Sequence, residues 1–266
     1  MAHFDIPFCD KNSERKMLFQ RVNRICRDVR ARIFDNSVRI GGVEFREGQY
    51  RRNEIEEGEW RPFGEEEYWG YREEYCWFRQ TVTIPDAFKG REVVYAVDPQ
   101  PERGWESRCF QFILFVNGKM VQGMDPNHTY YILTDCAEGG ETYEIALNAY
   151  CDDWEFRGQG KFHAFLKTRD TVVRDLYYDL SVPLEVAHQY DHDGMPRIHI
   201  LQTLNEAVNM LELSSPDAEV FHASAQVTSA YLHEKLYGES ADVKVSAIGH
   251  THIDTAWAVA SASDTR

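Results

Sequence analysis

Tyr75-Cys76-Trp77-Phe78-Arg79-Gln80-Thr81-Val82-Thr83-Ile84-Pro85 is the stretch that decides the fold. Cys76, Phe78, Gln80, Val82 and Ile84 alternate with Trp77, Arg79, Thr81 and Thr83. Successive side chains of an extended backbone leave opposite faces, so this pattern reads as a half-buried strand. Pro85 ends it, having no N–H to give to a ladder. The same habit recurs downstream. Glu92 to Val97 is a second strand and Cys109 to Val116 a third, strongly apolar one. Asn117-Gly118 follows, the dipeptide preferred by a type I′ turn, in which both central residues need positive φ. Lys119 to Gln122 returns as the hairpin partner, Tyr130 to Leu133 is another strand, and Thr142 to Tyr150 another, with Tyr143, Ile145, Leu147 and Ala149 on one side. Short strands separated by turn signals indicate an antiparallel, jelly-roll-like β-sandwich.

Helical periodicity flanks this region. In Asn12 to Phe34, Leu18, Val22, Ile25, Val29 and Ile33 recur at steps of three and four, which places them on one helix face opposite a basic one. After Phe165 the helical period returns. Val173, Leu176, Leu180, Leu184 and Ala187 share a face, with a kink expected at Pro183. Ile200, Leu201, Leu204, Ala207, Val208 and Leu211 define a second helix, and Ser215-Pro216 is expected to cap a third that ends at Gly238. Residues 35 to 75, charged and Gly-containing, read as a solvated loop. Trp60, Trp69 and Trp77 offer a sugar-stacking surface or, the preferred reading, anchors that pin long loops to a sheet. The expected organisation is α+β: helix and loop over 1–60, sandwich over 61–166, helical linker over 167–240, and the first strand of an α/β domain over 241–266.

Composition narrows the function. Of 266 residues, 43% are hydrophobic and 13% aromatic, too much burial for a disordered chain. The formal net charge of -15 repels phosphate backbones and argues against a nucleic-acid partner. No apolar run approaches the roughly 18–20 residues that span a bilayer, so no membrane partner is expected. Six cysteines without CxxC spacing read as reduced thiols of a cytoplasmic protein. Met1 to Asp10 lacks the basic and apolar regions of a signal peptide. The sequon Asn127-His128-Thr129 then reads as incidental.

The chemistry sits near the C-terminus. Lys244 to Gly249 is a short β-branched run that reads as a buried strand and delivers His250-Thr251-His252-Ile253-Asp254 at its carboxyl end, where α/β folds place their active sites. His252 and Asp254 lie two apart and point the same way in an extended segment. Imidazole and carboxylate suit zinc or another divalent metal. His250, on the same side, is a third ligand or an outer partner that orients a ligand. The indole of Trp257 beside such a site is a platform for a sugar ring.

Gly249-His250-Thr251-His252-Ile253-Asp254-Thr255-Ala256-Trp257 resembles the motif that opens the catalytic domain of glycoside hydrolase family 38, the α-mannosidases. Trp77-Phe78-Arg79, Thr83-Ile84-Pro85, Val116-Asn117-Gly118 and Arg174 to Asp179 resemble the cytosolic, vacuolar and bacterial branch of that family. The resemblance implies a zinc-dependent retaining glycosidase that acts on mannose-containing oligosaccharides. It implies zinc held by His252 and Asp254, and a mannose ring packed on Trp257. The family's other metal ligands and its Asp nucleophile lie far downstream of this motif, so they are expected beyond Arg266, and no catalytic residue is assigned within the chain. This makes the chain an N-terminal portion expected to be inactive alone, and leaves open a homo-oligomer of the full-length enzyme. Residues 258–266 depart from the family pattern. Two other readings stay open. His250-x-His252 after a strand is also similar to the metal motif of amidohydrolase barrels, and the sandwich is also suited to a non-catalytic carbohydrate-binding module.

Overall fold

A computed structural model of the chain describes residues 13–55, 58–71, 73–99, 110–151, 159–190, 194–237 and 246. Among these, two compact units form, one of residues 36–168 and one of residues 13–35 with 169–237. The class is α+β, as the alternation of periods predicts.

The first unit is a jelly-roll-like pair of sheets. Its strands are β1 (Phe34–Ile40), β2 (Glu44–Glu47), β3 (Arg61–Pro62), β4 (Glu74–Thr83), β5 (Glu92–Asp98), β6 (Gln111–Val116), β7 (Lys119–Met124), β8 (Tyr130–Thr134), β9 (Thr142–Cys151) and β10 (His163–Arg169). A six-stranded sheet runs β3-β2-β4-β9-β6-β7, and a four-stranded one runs β1-β10-β5-β8. The deciding stretch is β4, a central strand paired antiparallel with β9 along its whole length, from Glu74 opposite Cys151 to Thr83 opposite Thr142. The predicted inner set, Cys76, Phe78, Val82 and Ile84, meets Ile145, Leu147 and Ala149 of β9 in one buried core. Phe78 stacks on Phe162, with ring centroids 4.2 Å apart and 9° between planes, and Trp69 meets it edge-on at 5.2 Å. Such pairs add about 0.5–1.5 kcal/mol each beyond burial alone. Gln80 is the polar member of this inner row. Its Nε2 donates to the buried Tyr95 hydroxyl at 2.6 Å, which gives the amide a partner inside the core. The β6–β7 hairpin closes at Asn117 (φ 48°) and Gly118 (φ 76°), the two positive values its turn type needs.

The second unit is helical. α1 (Ser13–Arg30), α2 (Thr171–Gln189), α3 (Met195–Val208) and α4 (Ala218–Leu236) share an aliphatic core. The α2 stripe Val173, Leu176, Leu180, Leu184 and Ala187 is buried as predicted, and the helix continues through Pro183. In α1 the buried stripe is Phe19, Val22, Cys26 and Val29, continued past the helix end by Ile33, while Leu18 and Ile25 are half-buried at its flank. Asp170 caps α2 by accepting from the Val173 N–H at 3.1 Å, and its other oxygen lies 2.6 Å from His222 Nε2 of α4.

Four expectations need correction. Residues 35–75 are not all loop, because β1, β2 and β3 lie there and the sandwich unit begins at 36, not 61. β1 is an edge strand whose interior residues are all exposed, and β2 buries only Phe45, so neither shows an apolar alternation. Helix α1 does not group with the loop over 1–60: its apolar stripe docks on α2, α3 and α4, with which it shares one core. Residues 163–169 form β10, buried at five of seven positions, which hides the period of two. Finally, Asp217 caps α4, accepting from the Glu219 N–H at 2.9 Å, whereas the Ser215 hydroxyl accepts from the Asp217 N–H at 3.1 Å. A hydroxyl and a carboxylate two residues apart both suit a cap, and sequence alone does not choose between them.

Candidate functional site

The residues to which the sequence assigns chemistry, His250, His252, Asp254 and Trp257, lie outside the described residues, as does the expected strand Lys244 to Gly249 apart from residue 246. Among the described residues no group of three or more His, Cys, Asp or Glu side chains is placed to hold a metal ion. Four of the described histidines have local partners. His163 Nε2 is 3.1 Å from the Glu65 carbonyl oxygen, and His233 Nε2 is 3.1 Å from Asp179. His128 Nδ1 is 3.0 Å from Asp125, and His222 belongs to the Asp170 cap.

Two of the thiols are held protonated. Cys26 and Cys76 are buried. Burial pushes the Cys26 thiol up to about 12, and lifts that of Cys76 well above the usual range. A neutral buried thiol is a poor nucleophile, because the thiolate is the reactive form.

The tryptophans settle as anchors. Trp69 and Trp77 are each 1% exposed, so they offer no face to a sugar. The Trp77 indole donates to the Tyr50 carbonyl and that of Trp60 to the Ile55 carbonyl, both at 3.1 Å, which fastens the loop before β3 to the sheet. Trp69 forms a two-residue bridge with Gly160. At the adjacent Gly70 (φ +81°) a Cβ would stand 2.5 Å from the Phe110 ring, so the chain passes too close for any other residue.

Two cavities open on the outer face of the six-stranded sheet. One, about 460 Å³, lies around Glu44, Arg52, Trp60, Arg79 and Glu144. There Arg79 Nε donates to Glu44 at 2.7 Å, and the guanidinium covers the Trp60 ring at 4.2 Å. The other, about 520 Å³, is bordered by Tyr75 of β4, Asn148 and Tyr150 of β9, Ile113 of β6, and Asp125 with His128 beyond β7. Tyr75 and Tyr150 are register partners, with rings 4.5 Å apart. The Asp125 carboxylate accepts from the backbone N–H groups of Asn127 and His128, each at 2.8 Å, and so fixes the rim. The outward half of the alternation carries this tyrosine pair, but pairing becomes visible only once β4 and β9 are in register.

A family model described as "Alpha-mannosidase, jelly roll domain" matches residues 38–180, the sandwich and the start of α2. Alpha-mannosidase 2C1 of Homo sapiens is 29% identical over 201 residues, covering 68% of this chain and 18% of that protein. Alpha-mannosidase 2C1 of Mus musculus is 26% identical over 199 residues, with the same two coverages. The chain thus spans about 18% of the length of these curated relatives. Among solved structures, a Bacteroides uniformis β-glucuronidase aligns with a TM-score of 0.37 at 14% identity, covering 50% of this chain and 18% of that one. That likeness is too small to bear on fold or function.

Proposed function

Because the chain belongs to the α-mannosidase jelly-roll family, we propose that it is the N-terminal portion of a zinc-dependent retaining α-mannosidase that hydrolyses terminal α-mannosyl residues of oligosaccharides. The observation that carries this reading is the family match over residues 38–180, which spans nearly all of the described sandwich. The motif Gly249 to Trp257 supports it from the other end of the chain. His252 offers a nitrogen and Asp254 an oxygen, a donor pair of the kind zinc takes. His250 orients one of them by hydrogen bonding. Zinc bound there supplies a Lewis-acid grip on sugar hydroxyls. Trp257 presents an indole on which the apolar face of the sugar stacks, which positions the ring for attack. Retention requires a carboxylate to attack the anomeric carbon while a second carboxyl group protonates the departing oxygen. No residue of this chain is assigned to either role.

No helix among the described residues is long and apolar enough to cross a membrane. The buried, protonated thiols of Cys26 and Cys76 suit a reducing compartment, which supports a cytoplasmic assignment. The test is hydrolysis of an aryl α-mannoside by the complete gene product that contains this chain. Turnover is expected, and its loss by at least about 100-fold in Asp254→Ala, the order seen when a ligand or its partner is removed. Full activity in that variant contradicts the ligand assignment. No hydrolysis by the parent protein contradicts the reading itself.

A further inference from the structure

The basic face of α1 takes no part in the proposed zinc site, and it runs against the charge of the rest of the chain. Within a net charge of -15, α1 carries six Lys or Arg residues and two acidic ones. Arg21, Arg24, Arg27 and Arg30 follow one another at steps of three, and all four are exposed. Residues three apart on a helix are neighbours, about 5–6 Å between Cβ atoms, so these side chains make one row. The helix macrodipole favours cations in the last turn, where Arg27 and Arg30 stand, but that effect fades before Arg21 and Arg24.

Where these arginines are held, their partners are neutral. Arg21 donates to the side-chain carbonyls of Asn205 and Asn209, the latter at 2.6 Å. Arg30 lies over the Tyr177 ring, 5.8 Å from its centroid. Just past the helix, Arg32 donates to the Leu213 carbonyl at 2.9 Å and covers the Phe221 ring at 4.9 Å. The sandwich treats its arginines differently. Arg39 meets Glu65 at 3.2 Å, Arg61 meets Glu67 at 2.6 Å and Arg79 meets Glu44 at 2.7 Å. An amide, a carbonyl or a ring orients a guanidinium without cancelling its charge, so the α1 row keeps a positive field on a rigid support.

Burial and charge decide among partners. The stripe opposite the row, Phe19, Val22, Cys26 and Val29, is buried in the helical core, so α1 has no apolar face to lay into a lipid surface. A broad phosphate-bearing surface, lipid or nucleic acid, is repelled by the net charge of -15. A narrow segment that bears carboxylates at helical spacing touches the row alone, and each carboxylate can take two parallel hydrogen bonds from one guanidinium.

We propose that the outward face of α1, centred on Arg24 and Arg27, docks an acidic helix of a partner protein, one with Glu or Asp at steps of three and four. This surface is separate from the zinc site, so either can fail without the other. The experiment is fluorescence anisotropy of a labelled Glu/Ala helical peptide of that spacing, titrated with the 266-residue chain at low salt. The same peptide with Gln for Glu is the comparison. Saturable binding of the Glu peptide alone is expected, weakened at least about tenfold in Arg24→Gln/Arg27→Gln and lost at about 1 M salt. Both side chains are exposed, and far-UV circular dichroism checks that the helices persist in the variant. An equal loss of charge at other exposed positions, Lys89→Gln/Lys235→Gln, should change binding less than about twofold. No binding, equal binding by the parent and Arg24→Gln/Arg27→Gln, or an equal loss in both double variants overturns the proposal. Tighter binding of phosphatidylserine vesicles or duplex DNA than of the peptide also overturns it, because the row then serves phosphate.

Discussion

The sandwich and the helical unit solve the same burial problem with different materials. Around Phe78 the sandwich packs Phe45, Phe63, Trp69 and Phe162, rings contributed by segments distant in sequence. The helical unit fills its core chiefly with Val, Leu, Ile and Ala at steps of three and four, each helix carrying its own stripe. Aromatic rings pair in specific orientations, whereas aliphatic stripes interdigitate and tolerate exchange of similar volumes. The sandwich therefore depends on register, and the helical unit on composition and period.

The first way to break this comparison is a matched pair of conservative core changes. Phe78→Leu is expected to cost at least about 2 kcal/mol, because it forfeits several ring pairs together. Leu180→Met, which keeps volume in α2, is expected to cost less than about 1.5 kcal/mol. Urea unfolding followed by far-UV circular dichroism measures both. Equal costs would erase the distinction between the two cores.

The second prediction sharpens the comparison through pH. Cys26 in the helical unit and Cys76 and Tyr95 in the sandwich all have folded values raised by burial. A raised value means that the folded state holds its proton more tightly. The contribution of Cys26 is thus fully present below its ordinary value of 9.0 and is lost as pH rises towards about 12. Each such group removes up to about 1.4 kcal/mol per pH unit across its window. Urea midpoints at pH 8 and pH 10.5 should fall accordingly. Cys26→Ala should flatten the dependence but leave the share due to Cys76. An unchanged slope in Cys26→Ala would contradict burial as the cause.

The smallest effect is expected at the surface. Arg79 and Glu44 bridge β4 and β2 at 2.7 Å, but both side chains are well exposed. Solvent screens such a pair, so Arg79→Ala should cost less than about 1 kcal/mol and lose most of that cost in 1 M salt. A larger, salt-independent loss would assign the guanidinium a packing role over Trp60.

Legibility followed burial asymmetry. β4 and β9 bury one face almost throughout and leave the other only partly covered, so alternation locates them to within a residue or two. β1 has an exposed interior and β10 is buried on both faces, and neither one-sided burial nor its period survives in their sequences. Helix α2 carries a complete stripe and is readable; α3 buries Leu201, Leu204, Ala207 and Val208 of the expected set, while Ile200 is half-buried and Leu211 lies past its end; the cap of α4 is not readable, because Ser215 and Asp217 compete for it. Of the candidate sites, the proposed metal motif is a local pattern of residue types read from the sequence alone. The tyrosine pair is not legible there, because Tyr75 and Tyr150 become neighbours only through the pairing of β4 with β9.

The zinc assignment is tested most directly by the metal content of the purified gene product that carries this chain, measured by elemental analysis for the parent and for His250→Ala, His252→Ala and Asp254→Ala. The account predicts stoichiometric zinc in the parent, retained in His250→Ala and lost from the other two. Zinc lost equally from His250→Ala and His252→Ala and kept in Asp254→Ala, or absent from the parent, would contradict it.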